Sequence, residues 1–185
     1  MAYSTISKPS LHFNTKLYTG TGSSNAVTGV GFQPDMTWIK TRSHTSNHQM
    51  HNAAVAYPYY YTRPNTNAAE ITSNSTTITA FDSDGFTLST DPAVNGNQNQ
   101  ILAWSWKAGG GTTATISGGV NAIVQKEDVA KFAIAKYEGT GSQTAFEHGL
   151  GVKPDFIVIK NRSQADSWFV WIRKAANNNQ ALEFG

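Results

Sequence analysis

Cysteine is absent from the sequence, so the chain has neither a disulfide framework nor a thiolate metal site. Charged residues make up only 14% of the chain, against roughly 25% in an average domain. The net charge is +2, and lysine and arginine form no cluster or stripe of the kind that binds nucleic acid. No apolar run approaches the roughly 18 residues of a membrane-spanning helix. We therefore expect no nucleic-acid partner and no membrane insertion.

Motifs of catalysis and of export are missing as well. No Ser/His/Asp set sits in a known motif, and the Gly-rich segments lack the Lys-Ser/Thr of a phosphate loop. A glycosidase needs two carboxylates that flank one bond, and no pair stands out among the 12 acidic residues. The N-terminus lacks the basic region and apolar core of a signal peptide. The sequence predicts a protein that is not an enzyme, needs no cofactor and carries no cleaved signal.

What the chain has instead is an internal repeat. Residues 31–43 read GFQPDMTWIKTRS, and residues 151–163 read GVKPDFIVIKNRS. The match extends upstream, where YTGTGS at 18–23 pairs with YEGTGS at 137–142. Glycine permits the tight turn and proline stops any helix, so each copy reads as strand, turn, bend, strand and polar loop.

The strands of the two copies differ in their apolar pattern. FIVIK at 156–160 is a continuous apolar run, which suits a strand buried on both faces. In the first copy, residues 82–85 (DSDG) separate two β-type runs and predict a hairpin. Residues 101–107 (ILAWSWK) alternate, with Leu102, Trp104 and Trp106 on one face. We interpret this segment as a core strand that closes the first unit.

These elements predict an all-β fold: an antiparallel β-sandwich of lectin-like jelly-roll type, tandemly repeated. The second unit lacks counterparts of the hairpin and of the 101–107 strand, which leaves an apolar face and open edges. We expect the native chain to continue beyond Gly185; the alternative is completion by another chain or by the first unit. The predicted organisation is an N-terminal arm at 1–14, a first unit at 15–108, a Gly-rich linker at 109–130 with a possible helical turn near its end, and an incomplete second unit at 131–185.

Six runs of residues carry a family resemblance when taken in order: 13–22 (FNTKLYTGTG), 31–35 (GFQPD), 38–40 (WIK), 81–86 (FDSDGF), 104–107 (WSWK) and 148–151 (HGLG). Together they resemble a family of tailed-phage virion structural proteins, common in marine phages, with tandem concanavalin-type, lectin-like β-sandwich units. The resemblance implies a location on the virion, at its surface or tail, and other virion proteins as partners. It supplies no catalytic or ligand residue to carry over.

The resulting expectation is a non-enzymatic, tail-fibre-like component that contacts host-surface glycans. Its assembly would be a homo-oligomer, a trimer or a ring, in which weak single sites are multiplied by linked copies. Two alternatives remain open: a capsid-surface decoration protein and a free carbohydrate-binding module. A glycan depolymerase is a third, and it would show an acidic cleft once folded.

The candidate ligand site is a run of aromatic residues. Amphipathic aromatic rings can stack on sugars, although core or subunit packing explains them equally well. The predicted ligand-binding residues are Tyr57, Tyr59, Tyr60, Tyr61 and Arg63.

Two metal hypotheses and one scaffold hypothesis follow from spacing. Asp82 and Asp84 resemble the start of a calcium loop, but a hairpin turn fits better because the distal ligands are missing. His44, His48 and His51 lie at spacings of four and three, so on a helix they would share a face and could bind zinc or nickel. The surrounding Thr, Ser and Asn favour a polar loop or an intersubunit contact instead. We expect no bound metal. Four cations recur in both copies and are interpreted as scaffold residues near a local aspartate; they are Lys40, Arg42, Lys160 and Arg162, with Asp35 and Asp155.

Overall fold

The computed structural model describes residues 6–55, 58–73, 75–109 and 120–173, and the backbone of residues 181–184. Nearly all of its regular structure is β, besides a 3-10 turn at Pro9–Leu11 and a short helix, α1, at Pro92–Asn95. In chain order the strands are β1 (Phe13–Thr19), β2 (Asn25–Thr28), β3 (Met36–Thr41), β4 (Gln49–Asn52), β5 (Tyr60–Thr62), β6 (Ile71–Thr72), β7 (Ile78–Asp82), β8 (Gly85–Leu88), β9 (Gln100–Trp106), β10 (Ala122–Glu127), β11 (Phe132–Tyr137), β12 (Phe156–Ile159), β13 (Trp168–Ile172) and β14 (Ala181–Phe184).

Two antiparallel sheets build the first part of the chain. The larger sheet has the order β1-β9-β3-β4-β5-β6, and the smaller one has the order β2-β8-β7. Apolar residues from both sheets form one buried core: Val27, Val30, Phe32, Ile39, Ile78, Phe86, Leu88, Val94, Ile101 and Ala103. The predicted antiparallel, sandwich-like fold is confirmed, as is the hairpin at residues 82–85, where β7 and β8 pair as far as Asp82 and Gly85.

Strand β9 lies between β1 and β3 and pairs antiparallel with both. Its core face carries the small or aliphatic residues Ile101, Ala103 and Ser105, all of them buried. The prediction that Leu102, Trp104 and Trp106 share one face of a strand inside the sheet is confirmed. These three side chains share the opposite, outer face of the sheet and are half-buried, because the smaller sheet packs closely against the short side chains.

The second part of the chain contains a hairpin, β10-β11, and a three-stranded sheet, β12-β13-β14. The latter repeats the pairing of β3-β4-β5 with every residue shifted by 120. Met36 pairs with Asn52 as Phe156 pairs with Ile172, and the same shift relates the β4-β5 register to the β13-β14 register. A tandem repeat of whole sandwich units stays a prediction.

Two sequence-based expectations for this part are corrected. Phe156, Val158 and Ile159 on β12 are exposed rather than buried on both faces, since β12 pairs with β13 alone and no second sheet covers it within the described ranges. Residues 122–127 form β10 rather than a linker or helical turn, because β-branched Ile123 and Val124 pair with β11. The Gly-rich residues 110–119 lie outside the described part of the chain, as do residues 1–5 of the predicted arm.

A polar contact joins the two parts of the chain. Arg162 donates two hydrogen bonds from its guanidinium to the carboxylate of Glu70, at 2.7 and 2.6 Å. The Glu70 N–H donates to the Arg162 carbonyl at 2.9 Å, and the Trp168 indole N–H donates to the Thr66 carbonyl at 3.0 Å. The bidentate geometry requires a guanidinium, which a lysine cannot reproduce.

We expect Arg162→Lys to lower the free energy of unfolding by about 1 kcal/mol, because one charge-assisted hydrogen bond to the mostly buried Glu70 carboxylate is lost while part of the pair stays solvent-screened. Urea unfolding followed by tryptophan fluorescence measures the change. Arg42 occupies the repeat-equivalent position and is exposed, so Arg42→Lys is the matched control and should stay within about 0.5 kcal/mol of the parent. Equal losses in both variants would contradict the assignment.

Candidate functional site

One residue of the predicted tyrosine site, Tyr61, lies in the interior of the fold. Tyr61 is only 5% exposed, and its ring lies 5.2 Å from that of His51. The Arg63 guanidinium lies 5.8 Å from the centre of the Tyr61 ring, where a cation–π contact forms. Tyr61 is therefore packed in the interior of the fold, and its role in binding a ligand stays a prediction. Tyr57 lies outside the described residues.

Tyr59 and Tyr60 stay at the edge of the larger sheet. Both are half-buried, and their rings meet edge to face with centres 5.2 Å apart. The Tyr59 carbonyl accepts hydrogen bonds from the hydroxyls of Ser73 (3.1 Å) and Thr77 (3.0 Å). These contacts hold the turn before β5, and a ligand role for the two rings stays a prediction.

The three histidines are separated by the fold. His44 lies in an exposed loop, where its Nε2 accepts from the Asn99 amide at 2.8 Å. His48 lies on the outer face of the larger sheet beside Trp38, and His51 is buried on the core face. His48 directly precedes β4 and His51 lies within it. Because side chains alternate along a strand, two residues three apart point to opposite faces. In the described part of the chain, no group of three or more His, Asp or Glu side chains is placed to hold a metal ion.

His51 is part of a buried polar chain. Its Nδ1–H donates to the Pro58 carbonyl at 2.8 Å, its Nε2 lies 3.1 Å from Gln49 Oε1, and the Gln49 amide donates to the Asp91 carboxylate at 3.3 Å. Burial lowers the pKa of His51 to about 4, against the hydrogen bond to Pro58, which raises it. The ring is therefore neutral at physiological pH.

The carboxylates of the hairpin at residues 82–85 accept hydrogen bonds from groups of the chain itself, rather than forming a cation site. Asp84 accepts hydrogen bonds from the N–H groups of Gly29 (2.9 Å) and Gly31 (2.6 Å), and these bonds lower the pKa of its carboxyl. Asp82 accepts from the Thr87 hydroxyl at 2.7 Å. The hairpin interpretation of this sequence is supported over a calcium loop.

The recurring lysines make the same contact in both parts of the chain. Lys40 Nζ donates to the Thr41 carbonyl at 2.6 Å, and Lys160 Nζ donates to the Asn161 carbonyl at 2.9 Å. Lys160 also donates to the carbonyls of Asn67, Gln164 and Asp166, and burial lowers its pKa. The lysines thus hold the polar loops after β3 and β12, as the scaffold hypothesis expects.

The local aspartates have partners that the sequence did not suggest. Asp155 pairs with Arg173 at 2.5 Å, and the Asp35 carboxylate accepts the Ala108 N–H at 2.6 Å.

An aromatic surface lies on the outer face of the larger sheet. One cross-strand row runs Thr15, Trp104, Trp38 and Met50 across β1, β9, β3 and β4. The Trp104 and Trp38 rings are tilted by 59° with centres 5.9 Å apart. Leu17, 62% exposed, stands two residues from Thr15 on the same face. We call Thr15, Leu17, Trp38, His48 and Trp104 the outer-face surface.

His48 gives this surface a defined polar group. The Trp38 indole N–H donates to His48 Nδ1 at 2.8 Å, so the neutral ring carries its proton on Nε2. Burial and the nearby positive charge of Lys40 lower the pKa of His48 and favour that neutral form. The surface therefore combines two indole rings with one oriented N–H donor. Sequence reasoning missed it because alternation in β9 identifies which residues share a face but not which face is buried.

Comparison with known proteins identifies the family. The family model described as domain of unknown function DUF7483 matches residues 8–185. The chain belongs to this family. Neither the curated proteins nor the solved structures contain a match to the chain.

The match of this DUF7483 chain spans the larger sheet, the smaller sheet and the strands β10 to β14, so the outer-face surface falls within it. Among the described residues, none of the helices has the length and apolar character to cross a membrane.

We expect the stability of the chain to fall as pH is lowered from 7 to 5. Between pH 6.5 and about pH 4 the unfolded chain binds a proton at His51 that the folded chain does not bind. The free energy of unfolding therefore decreases in this window, by about 2 kcal/mol from this group between pH 7 and pH 5. Urea unfolding at the two pH values measures it.

His51→Gln should remove this part of the pH dependence, whereas His44→Gln, at an exposed histidine, should keep it. If His51→Gln does not fold, NMR titration of the His51 ring in the parent protein reads its pKa directly. An His51 pKa near 6.5 would contradict the prediction.

Proposed function

We propose that this chain is a non-enzymatic structural protein of a phage particle, tail-fibre-like, and that its outer-face surface binds carbohydrate of the host surface. The virion setting is supported by the resemblance of its sequence runs to tailed-phage structural proteins. The binding role is supported by one observation above the others, the half-buried Trp38–Trp104 pair on an outer sheet face. Aromatic residues on the outside of a sheet contribute nothing to the sandwich core.

The chemistry of the surface suits a sugar ring. The apolar C–H face of a pyranose packs on an indole, while its hydroxyl groups need directed hydrogen-bond partners. Trp104 and Trp38 supply the apolar platform, His48 Nε2–H supplies a donor, and Thr15 supplies a hydroxyl at the end of the same row. The surface carries no acidic pair to protonate a glycosidic bond and activate water, so it fits binding better than hydrolysis.

A shallow surface of this kind binds one sugar weakly. Homo-oligomerisation into a trimer or ring, together with anchoring to other virion proteins, would link several surfaces and raise the overall affinity. We expect weak binding of a sugar at each single surface and strong attachment of the whole oligomer.

Binding is tested by screening the purified chain on an array of bacterial surface polysaccharides and titrating the best oligosaccharide against tryptophan fluorescence. Trp104→Ala should weaken binding at least about tenfold, a change of about 1.4 kcal/mol. Tyr60→Ala is the matched control, because it removes a half-buried aromatic ring at the opposite end of the sheet and should leave affinity unchanged. Loss of binding in Tyr60→Ala alone would move the site to the predicted tyrosine cluster.

Two further measurements distinguish a loss of binding from a loss of folding. Circular dichroism and the unfolding midpoint establish that Trp104→Ala is folded, and His48→Gln perturbs the polar group without opening the platform. Absence of saturable binding to every glycan would overturn the binding role.

The virion setting has its own test. Immunogold labelling of phage particles that encode the chain should place it on the tail in small symmetric groups. Label spread over the capsid would identify a decoration protein instead, and absence from particles would favour a free carbohydrate-binding module.

A further inference from the structure

Two cations continue the outer-face surface toward one end of the larger sheet. The row next to that of the two tryptophans runs Leu17, Leu102 and Lys40 across β1, β9 and β3. Arg42 follows two residues after Lys40, and its N–H donates to the Gln100 carbonyl at 2.8 Å. Because side chains alternate along a strand, Lys40 and Arg42 lie on the same face as the two tryptophans. We call Lys40 and Arg42 the cationic margin.

The charge of Lys40 acts on the outer-face surface itself. By the register of β3 and β4, in which Ile39 pairs with Gln49, His48 stands opposite Lys40. Burial and the nearby charge of Lys40 lower the pKa of His48. The Lys40 ammonium has three N–H donors, of which one donates to the Thr41 carbonyl at 2.6 Å. A positive potential therefore extends from Lys40 over the polar end of the outer-face surface.

The second copy of the repeat shows what a guanidinium at the position of Arg42 binds. Arg162, which occupies that position, donates two hydrogen bonds to the carboxylate of Glu70. The Arg42 side chain is exposed, and among the described residues it takes part in no ion pair. A guanidinium matches the two oxygens of a carboxylate in a bidentate pair. Arg42 is therefore placed to bind a carboxylate from outside the chain.

The rows around the cationic margin contain no acidic side chain in the described strands. Their other outer-face positions, besides His48, are uncharged: Thr15, Leu17, Thr19, Trp38, Met50, Gln100, Leu102 and Trp104. A carboxylate, Glu127, lies toward the other end of this face, opposite Phe132, whose ring stacks on that of Trp106 with centres 6.2 Å apart. Trp106 stands four residues along β9 from the row of Lys40, about 13 Å away. The charge beside the indole platform is thus positive.

We propose that the outer-face surface binds an acidic polysaccharide, and that the cationic margin binds the carboxylates of its uronic acid units. The proposal rests on the carbohydrate role proposed above for this surface, and it names the class of sugar that the surface takes. One sugar ring stacks on the Trp38–Trp104 pair, and the neutral His48 ring donates from Nε2–H to a hydroxyl.

The spacing of the cations gives the bound polysaccharide a direction. Lys40 lies about 7 Å along β3 from Trp38, so it reaches a carboxylate on the stacked sugar. Arg42 lies a further two residues along the strand and reaches the carboxylate of the next sugar. The polysaccharide therefore runs along β3, and its carboxylates add both affinity and orientation to the stacking.

Matched pairs of ligands test the class of sugar. The probes are oligogalacturonate and oligomannuronate, each compared with its carboxyl-reduced product, which keeps the rings and linkages and lacks only the carboxylates. Each probe is titrated against the tryptophan fluorescence of the full 185-residue protein. We expect at least one acidic probe to bind at least about tenfold more tightly than its reduced product. Added salt should weaken the binding of the acidic probe and leave that of the reduced product unchanged.

Arg42→Gln tests the cationic margin. The side chain is exposed, so the fold should be retained, and the acidic probe should bind at least about tenfold more weakly, because a charge-assisted contact is lost. The affinity for the reduced product should stay within about twofold of that of the parent. Lys153→Gln is the matched control, because it makes the same change of net charge at an exposed cation of the second part, and it should bind both probes as the parent does.

A second variant adds a charge instead of removing one. Leu17 shares a row with Lys40 and is 62% exposed, so Leu17→Glu places a carboxylate beside the cationic margin without disturbing the core. Leu17→Glu should bind the acidic probe at least about tenfold more weakly than Leu17→Gln does. The comparison isolates the charge, since both variants remove the same apolar side chain.

Two results would overturn the acid specificity and leave the carbohydrate role in place. One is equal binding of the acidic and reduced probes, with Trp104→Ala weakening both. The other is an equal loss of acidic binding in Arg42→Gln and Lys153→Gln. Equally tight binding of polyglutamate, a polyanion without sugar rings, would also overturn it. Absence of binding to every probe, acidic and reduced, would overturn the carbohydrate role together with the acid specificity.

Discussion

The larger sheet depends on the insertion of β9 between β1 and β3. The two outer partners come from the first forty residues of the chain, and the strand that joins them follows some sixty residues later. Every interstrand hydrogen bond that β9 makes with its two neighbours is therefore long-range, and forming it closes a long loop of the chain. The short side chains on the core face of β9 then allow the smaller sheet to approach, which buries Ile39 and Phe86 in one core.

The alternation of side chains along the strands divides the larger sheet into two chemically different faces. The core face buries aliphatic residues and a row of polar groups that runs from His51 through Gln49 to Asp91. These polar groups restrict the pairing of β4 to one register, because a slip of one residue would move His51 and Gln49 to the other face. The outer face keeps its tryptophans half-buried, outside the aliphatic core.

The second part of the chain has the same strand pairing, but the side chains of its sheet are more exposed to solvent. Its β12-β13-β14 sheet repeats the register of β3-β4-β5. Gly149 and Gly151 have positive φ, as Gly29 and Gly31 do in the first part. The second part is held to the first part through Arg162 and Glu70, while Phe156, Val158, Ile159 and Phe169 on its sheet are exposed. The two parts of the chain thus differ in how far their sheets are covered: Ile39 on β3 is buried, whereas Ile159 at the equivalent position of β12 is exposed.

Local sequence alone determined strands such as β3, β9 and β12, the DSDG hairpin and the repeated bend, because turn residues and β-branched runs favour a conformation within a few residues of their own position. Only the tertiary structure decided which face of β9 is buried. Alternation shows which side chains share a face, but the buried face is the one against which another sheet packs. For the same reason, only the tertiary structure shows that Tyr61 lies in the interior and that His48 and His51 lie apart. It also shows that Trp104 lies beside Trp38, although their strands are distant in sequence. Those choices depend on contacts between residues far apart in the chain, which no local pattern encodes.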